Sequence, residues 1–212
     1  MKDLIEKVKL LEKSEIGNTV EQRLAEFAAF KDKPGGEWFS ELCFCILTAN
    51  SKQKTGASIQ KELGPRGFLS KSQEEIRDVI IRNRHRFHNN KSRYIVEARK
   101  HARIKDIIND IVRTSSVFAA REWLAGNING LGYKEASHFL RNTGHEGVAI
   151  LDRHILSILK EYNIISEIPR PVNKNNYIKI EEEFINLSIQ LDMSPAKLDL
   201  LMWHMKTGEV LK

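Results

Sequence analysis

Residues 118–159 read FAAREWLAGNINGLGYKEASHFLRNTGHEGVAILDRHILSIL, and this stretch decides the fold. It scans as a helix over Val117 to Ala125, a tight turn at Asn129-Gly130-Leu131-Gly132, a helix from Lys134 to about Asn142, a loop, and an aspartate opening a further helix, Arg153 to Glu161. Glycines at 130 and 132 permit positive φ and leave the backbone bare. Just ahead of a helix, their N–H groups can point at a phosphate, helped by the positive end of the helix dipole. Asp152 is well placed to cap the helix that follows it.

Outward from this stretch the chain continues helix after helix. Leu4, Ile5, Val8 and Leu11 keep the spacing of an amphipathic helix. Thr19 is the expected cap of the next helix, which runs through Phe27 to Phe30 before Lys33-Pro34-Gly35-Gly36 breaks it. Trp38 to Thr48 is apolar nearly all round, as a buried central helix would be. A helix near Lys52 to Leu63 should stop at Gly64-Pro65-Arg66-Gly67. Ser72 then caps another, with Glu75 placed to return the capping-box bond. Lys91 to Ile111 reads as one long basic amphipathic helix, and two more fit Asn175 to Gln190 and Pro195 to His204. No run alternates with β-branched residues, so the fold class is all-α, without an internal repeat.

The chain has 212 residues, 41% of them apolar, with 34 basic and 28 acidic side chains and a net charge of +6. The excess suits a polyanionic partner without proving one. Basic residues crowd the interval from Arg77 to Arg113 (Arg82, Arg84, Arg86, Lys91, Arg93, Arg99, Lys100, Arg103, Lys105), so a phosphate-facing surface and a solvated basic face both remain open. The charged N-terminus argues against a signal peptide and no stretch suits a membrane span, so a soluble, intracellular protein is expected. Cys43 and Cys45, two apart in an apolar segment, should be buried thiols in a reducing compartment. Two cysteines cannot hold an iron–sulfur cluster, and no metal or cofactor site is expected.

Gly130-Leu131-Gly132-Tyr133-Lys134 followed by Leu151-Asp152-Arg153-His154 resembles the helix-hairpin-helix DNA glycosylases, whose Gly-x-Gly-x-Lys hairpin precedes an Asp in an apolar-Asp-x-His context. Without cluster cysteines or an added β domain, the chain is most similar to the second class of that superfamily, the archaeal and bacterial 8-oxoguanine glycosylase/AP lyases. The resemblance implies one glycosylase unit over 1–212 built of two helical subdomains, with the hairpin at about 118–142 and the active site in the cleft between the lobes. It implies double-stranded DNA containing 8-oxoguanine as partner, a monomer, and a cytoplasmic enzyme associated with the nucleoid when it acts.

Lys134 would supply the amine that attacks C1′ of the sugar. A primary amine gives an aminal that opens to an imine, and the imine acidifies the 2′ protons for β-elimination. The amine attacks only when uncharged, which partial burial, a helix N-terminus or nearby cations favour. Asp152 would stay ionised, stabilise the oxocarbenium-like charge and orient the lysine. Asn50 matches the residue that fills the gap left by a flipped base, though a helix C-cap is an equal reading. Phe87 matches the aromatic that stacks on the flipped base, a contact worth about 1–3 kcal/mol; a core role is its bland alternative. Trp203 and the final Lys212 match the pocket wall and the folded-back terminus that recognise 8-oxoguanine. His154 reads equally as a phosphate contact or a core histidine, and Gly130 and Gly132 as the DNA-gripping turn. Two competing functions stay in view: a non-catalytic helix-hairpin-helix DNA-binding module, and a glycosylase/lyase for oxidised pyrimidines.

Overall fold

Helices begin where the sequence supplies a short side-chain acceptor. In the computed structural model, which describes residues 2–212, Ser14, Ser72, Ser116, Asp152, Asn173 and Ser194 each accept a backbone N–H at the start of a helix. The capping box of Ser72 and Glu75 forms as expected. Twelve α-helices and one short 3-10 turn make up the described residues, with no strand among them. None of these helices is long and apolar enough to cross a membrane.

The chain divides into two compact units, residues 32–139 and residues 1–31 with 140–212. In the first, α3 (Gly35–Thr48) is the centre: every residue from Trp38 to Thr48 is buried, Cys43 and Cys45 included. Burial pushes the Cys43 thiol well above its ordinary pKa, the state of an inert thiol. Around α3 pack α4 (Gln53–Ser70), α6 (His88–Ala98) and α7 (Ile104–Thr114). α5 (Gln73–Arg82) packs on α4 and α6, and α8 (Val117–Asn127) on α7. α9 (Tyr133–Asn142) starts in this unit.

The other unit is organised on α12 (Pro195–Thr207), which packs against α1 (Lys2–Glu12), α2 (Glu15–Phe30), α10 (Arg153–Glu161) and α11 (Lys174–Gln190). Its interior holds an ion pair: the Arg141 guanidinium donates to Asp199 Oδ2 at 2.5 Å and to Asn142 Oδ1, and stacks over Phe27 at 4.9 Å.

Three expectations need correction. Helix α2 starts at Glu15 under the Ser14 cap, and Thr19 lies inside it, its hydroxyl donating to Glu15 O. Gly64 does break the helix (φ 60°, ψ 175°), but Pro65 restarts it at once, so a kinked α4 reaches Ser70. Lys91 to Ile111 is not one helix: α6 ends at Ala98, a 3-10 turn covers Arg99–His101, and α7 starts at Ile104. The reason is phase. Nine residues of α-helix are about two and a half turns, so an unbroken helix would aim Ile95 and Ile104 in opposite directions. Both are fully buried, and the break reconciles them. Arg99 marks the place, donating to Phe68 O at 2.8 Å and Lys71 O at 2.5 Å beyond the last turn of α4.

Candidate functional site

The candidate residues fall in both units. In residues 32–139 the hairpin turn between α8 and α9 is built as its glycines suggest, but the two differ. Gly130 has φ +87°, and a Cβ there would lie 2.6 Å from the Tyr94 ring, so both conformation and space demand glycine. Asn129 donates to Glu97 at 2.8 Å and ties the same turn to α6. Positive φ belongs to Gly130 and not to Gly132. The Gly132 N–H donates to Glu135 Oε2 at 3.2 Å, the reach-back half of a capping box.

Lys134, in the first turn of α9, keeps 30% of its side chain exposed, so it lies partly buried rather than in bulk solvent. Its Nζ is 3.7 Å from Glu135 Oε1. Sharing this electrostatic neighbourhood is Lys91, a residue sequence reasoning placed on a basic surface. It is only 5% exposed, and its ammonium donates to Ile46 O at 2.6 Å. Burial lowers its pKa to about 8, against the attraction of Glu135 and with a contribution from Lys134.

Lys91 is one of three basic side chains closing the end of α3. A helix leaves its last carbonyls without intrahelical donors. Ile46 O receives Lys91, Leu47 O lies 2.8 Å from His85 Nε2, and Asn50 O receives Arg86 at 3.3 Å. His85 Nδ1 accepts the Phe87 N–H, so the imidazole is the neutral Nε2–H tautomer, and burial lowers its pKa accordingly. This lacing joins Asn50 and Phe87. Asn50 is exposed at φ +58° past the end of α3. Phe87 is half-buried under the Arg86 guanidinium, 4.6 Å from its ring centroid. His85 and Lys91 were missed as site-builders because their partners are backbone carbonyls about forty residues away.

The basic interval from Arg77 to Arg113 is accordingly not one phosphate-facing surface. Lys91 and Arg99 serve the interior, while Arg82, Arg93 and Arg103 pair with Glu62, Glu97 and Asp106.

In the unit containing residues 140–212, Asp152, His154 and Trp203 come together. Asp152 Oδ1 accepts the N–H groups of His154 and Ile155 at 2.8 and 2.9 Å, which caps α10. Oδ2, outside the cap, accepts the Trp203 indole N–H at 3.3 Å. The rings of His154 and Trp203 stand nearly perpendicular with centroids 6.3 Å apart, and His154 Nε2 accepts from Arg153. His154 is thus half-exposed beside the acid and not a core residue. The buried approach to Asp152, Val148 to Leu151, is clamped from α11. Tyr177 Oη donates to Ala149 O at 2.8 Å and accepts from Leu151 N at 3.3 Å, while Glu181 accepts from Ala149 N at 3.0 Å. Neither Tyr177 nor Glu181 carries a sequence signal of this role. Beyond α12, Gly208 takes a left-handed cap at φ 72°, the Glu209 N–H donates to Thr207 Oγ1, and Val210 to Lys212 are half-buried. Among the described residues no group of three or more His, Cys, Asp or Glu side chains is arranged to hold a metal ion.

Residues 20–193 match the family model described as 8-oxoguanine DNA glycosylase. The 8-oxoguanine DNA glycosylase/AP lyase of Methanocaldococcus jannaschii is 46% identical over 209 residues, 99% of each chain. That of Thermotoga maritima is 37% identical over 214 residues, 100% of each chain. Among solved structures, the M. jannaschii enzyme in complex with a 15mer DNA containing 8-oxoguanine superposes with a TM-score of 0.95 at 45% identity, covering 99% of both chains. The T. maritima 8-oxoguanine DNA glycosylase superposes with 0.91 at 36% identity, covering 100% of this chain and 99% of the other.

Proposed function

Because the chain belongs to the 8-oxoguanine DNA glycosylase family of helix-hairpin-helix fold, we propose that it excises 8-oxoguanine from duplex DNA and then nicks the strand through an imine on Lys134. The Lys134 amine attacks C1′, the C1′–N9 bond breaks, and the base departs with the bonding electrons and gains a proton. The aminal opens to a protonated imine. Loss of a 2′ proton then expels the 3′ phosphate, cutting the strand. Asp152 faces positive charge at both stages, first on the oxocarbenium-like sugar and then on the iminium nitrogen, and its carboxylate stabilises both. The enzyme acts as a monomer in the cytoplasm, on the nucleoid when engaged with DNA, and no cofactor enters these steps.

The other residues take roles in keeping with their chemistry. Gly130 and Gly132 present the hairpin backbone to phosphate, with His154 a further contact. Asn50 fills the gap left by the flipped base, and Phe87 stacks on that base. Trp203 walls the pocket. The Lys212 carboxylate accepts from N1–H and the 2-amino group, and N7, protonated only in the oxidised base, donates to a backbone carbonyl.

The observation that carries this reading is the partly buried Lys134 at the head of α9, directly after the glycine turn, in a chain whose full-length relatives are named for both activities. Borohydride reduction during incubation with an 8-oxoguanine duplex tests it: an imine-forming lysine is trapped as a covalent adduct. Lys134→Gln should abolish adduct and strand cleavage while DNA binding survives, and cleavage retained in that variant refutes the assignment.

A further inference from the structure

The carboxylate of Asp152 is divided between two tasks. Oδ1 is saturated by the two N–H groups at the start of α10, and this fixes the χ angles of the side chain. Oδ2 is therefore left in a set direction, and what it meets there is the indole N–H of Trp203 at 3.3 Å. An indole N–H is a donor only, carried on a rigid ring with two torsions. That ring is in turn placed by α12, which packs on α10, and by the edge-on contact with His154.

We propose that Trp203 is a positioning residue for Asp152, acting in catalysis through its N–H as well as lining the base pocket through its ring. This rests on the reading of Asp152 as the group that stabilises positive charge on the sugar and on the imine. A donor on the second oxygen stops Oδ2 from turning toward another partner and holds the carboxylate in one orientation. Removing the donor weakens every step that Asp152 assists, whether or not a base is in the pocket. Loss of a pocket wall alone would weaken only steps in which a base is bound. The two roles therefore separate on a substrate with no base.

The test compares Trp203→Phe, which keeps an aromatic ring and drops the N–H, on two duplexes: one with 8-oxoguanine and one with a preformed abasic site. Single-turnover cleavage of both should fall, each by roughly 10-fold, the size of one charge-assisted hydrogen bond. Reduced excision with wild-type cleavage of the abasic duplex overturns the proposal and leaves Trp203 a wall, with the glycosylase/lyase assignment intact. A wild-type protein inactive on both duplexes would instead refute the assignment itself.

A second measurement is independent of activity. The protein has three tryptophans, so its amide correlation spectrum holds three indole N–H signals, and the one lost in Trp203→Phe belongs to Trp203. Asp152→Ser keeps a cap acceptor for α10 and removes Oδ2. In that variant the Trp203 signal should move upfield while those of Trp38 and Trp123 hold. An unmoved Trp203 signal overturns the proposal.

Discussion

Lys91→Met takes a buried ammonium out of the protein without emptying the space it fills. In the native chain that ammonium donates to Ile46 O, and burial, opposed by Glu135, brings its pKa from 10.5 to about 8. In the unfolded chain it reverts to about 10.4. The folded value is the lower one, so between the two the unfolded chain binds a proton that the native protein does not, and stability must rise with pH across that window. The fall to about 8 corresponds to about 3 kcal/mol against the charged form, present in full at neutral pH and relieved in alkali. Methionine escapes this cost but leaves the Ile46 carbonyl without its donor, a loss of about 1–3 kcal/mol. The two terms nearly offset, so at neutral pH the variant should lie within about 2 kcal/mol of the wild type, where breaking a paired buried charge would cost about 3–5. The decisive quantity is the slope. Urea denaturation followed by far-ultraviolet circular dichroism should show the wild type gaining about 2 kcal/mol over Lys91→Met between about pH 7 and 9.5. Parallel curves would mean that the native ammonium keeps its charge at no cost, and the burial argument would be wrong.

Two further outcomes follow from the same kind of reasoning. Deleting Lys212 should weaken 8-oxoguanine excision much more than cleavage at a preformed abasic site, and equal losses in single-turnover assays would reject the terminal-lysine pocket. Asp199→Asn removes the negative charge that Arg141 meets in the interior, where both side chains of the pair are only 5% exposed, and should cost about 3–5 kcal/mol and lower the melting temperature by about 10 °C in calorimetry.

What could be read from the sequence was what short-range chemistry decides. Ser72 with Glu75, Asp152 ahead of Arg153, and the glycine turn before Lys134 need only neighbours three or four residues away, and each forms where the sequence places it. The break between α6 and α7 was equally local, since Ile95 and Ile104 are out of phase, but the unbroken run of basic residues hid it. The lacing of α3 was not legible. Lys91, His85 and Arg99 look like members of a charged face, and only the fold reveals that each is aimed at a carbonyl at a helix end. The same holds for Tyr177 and Glu181, whose partners are the backbone of residues 149–151. A side chain that serves a distant carbonyl leaves no periodicity or spacing, so the supports of the candidate site stayed hidden.

The Glu135 carboxylate on the Gly132 amide means that the turn arrives with an occupant of its own. If phosphate is what the turn receives, binding there is an exchange of one anion for another, and its strength is the difference between them. The displaced group is tethered to the protein and cannot diffuse away, so it goes on competing for the same amide. A rival that never leaves also hastens departure. For an enzyme that must scan mostly undamaged DNA, a grip that loosens from within favours moving on.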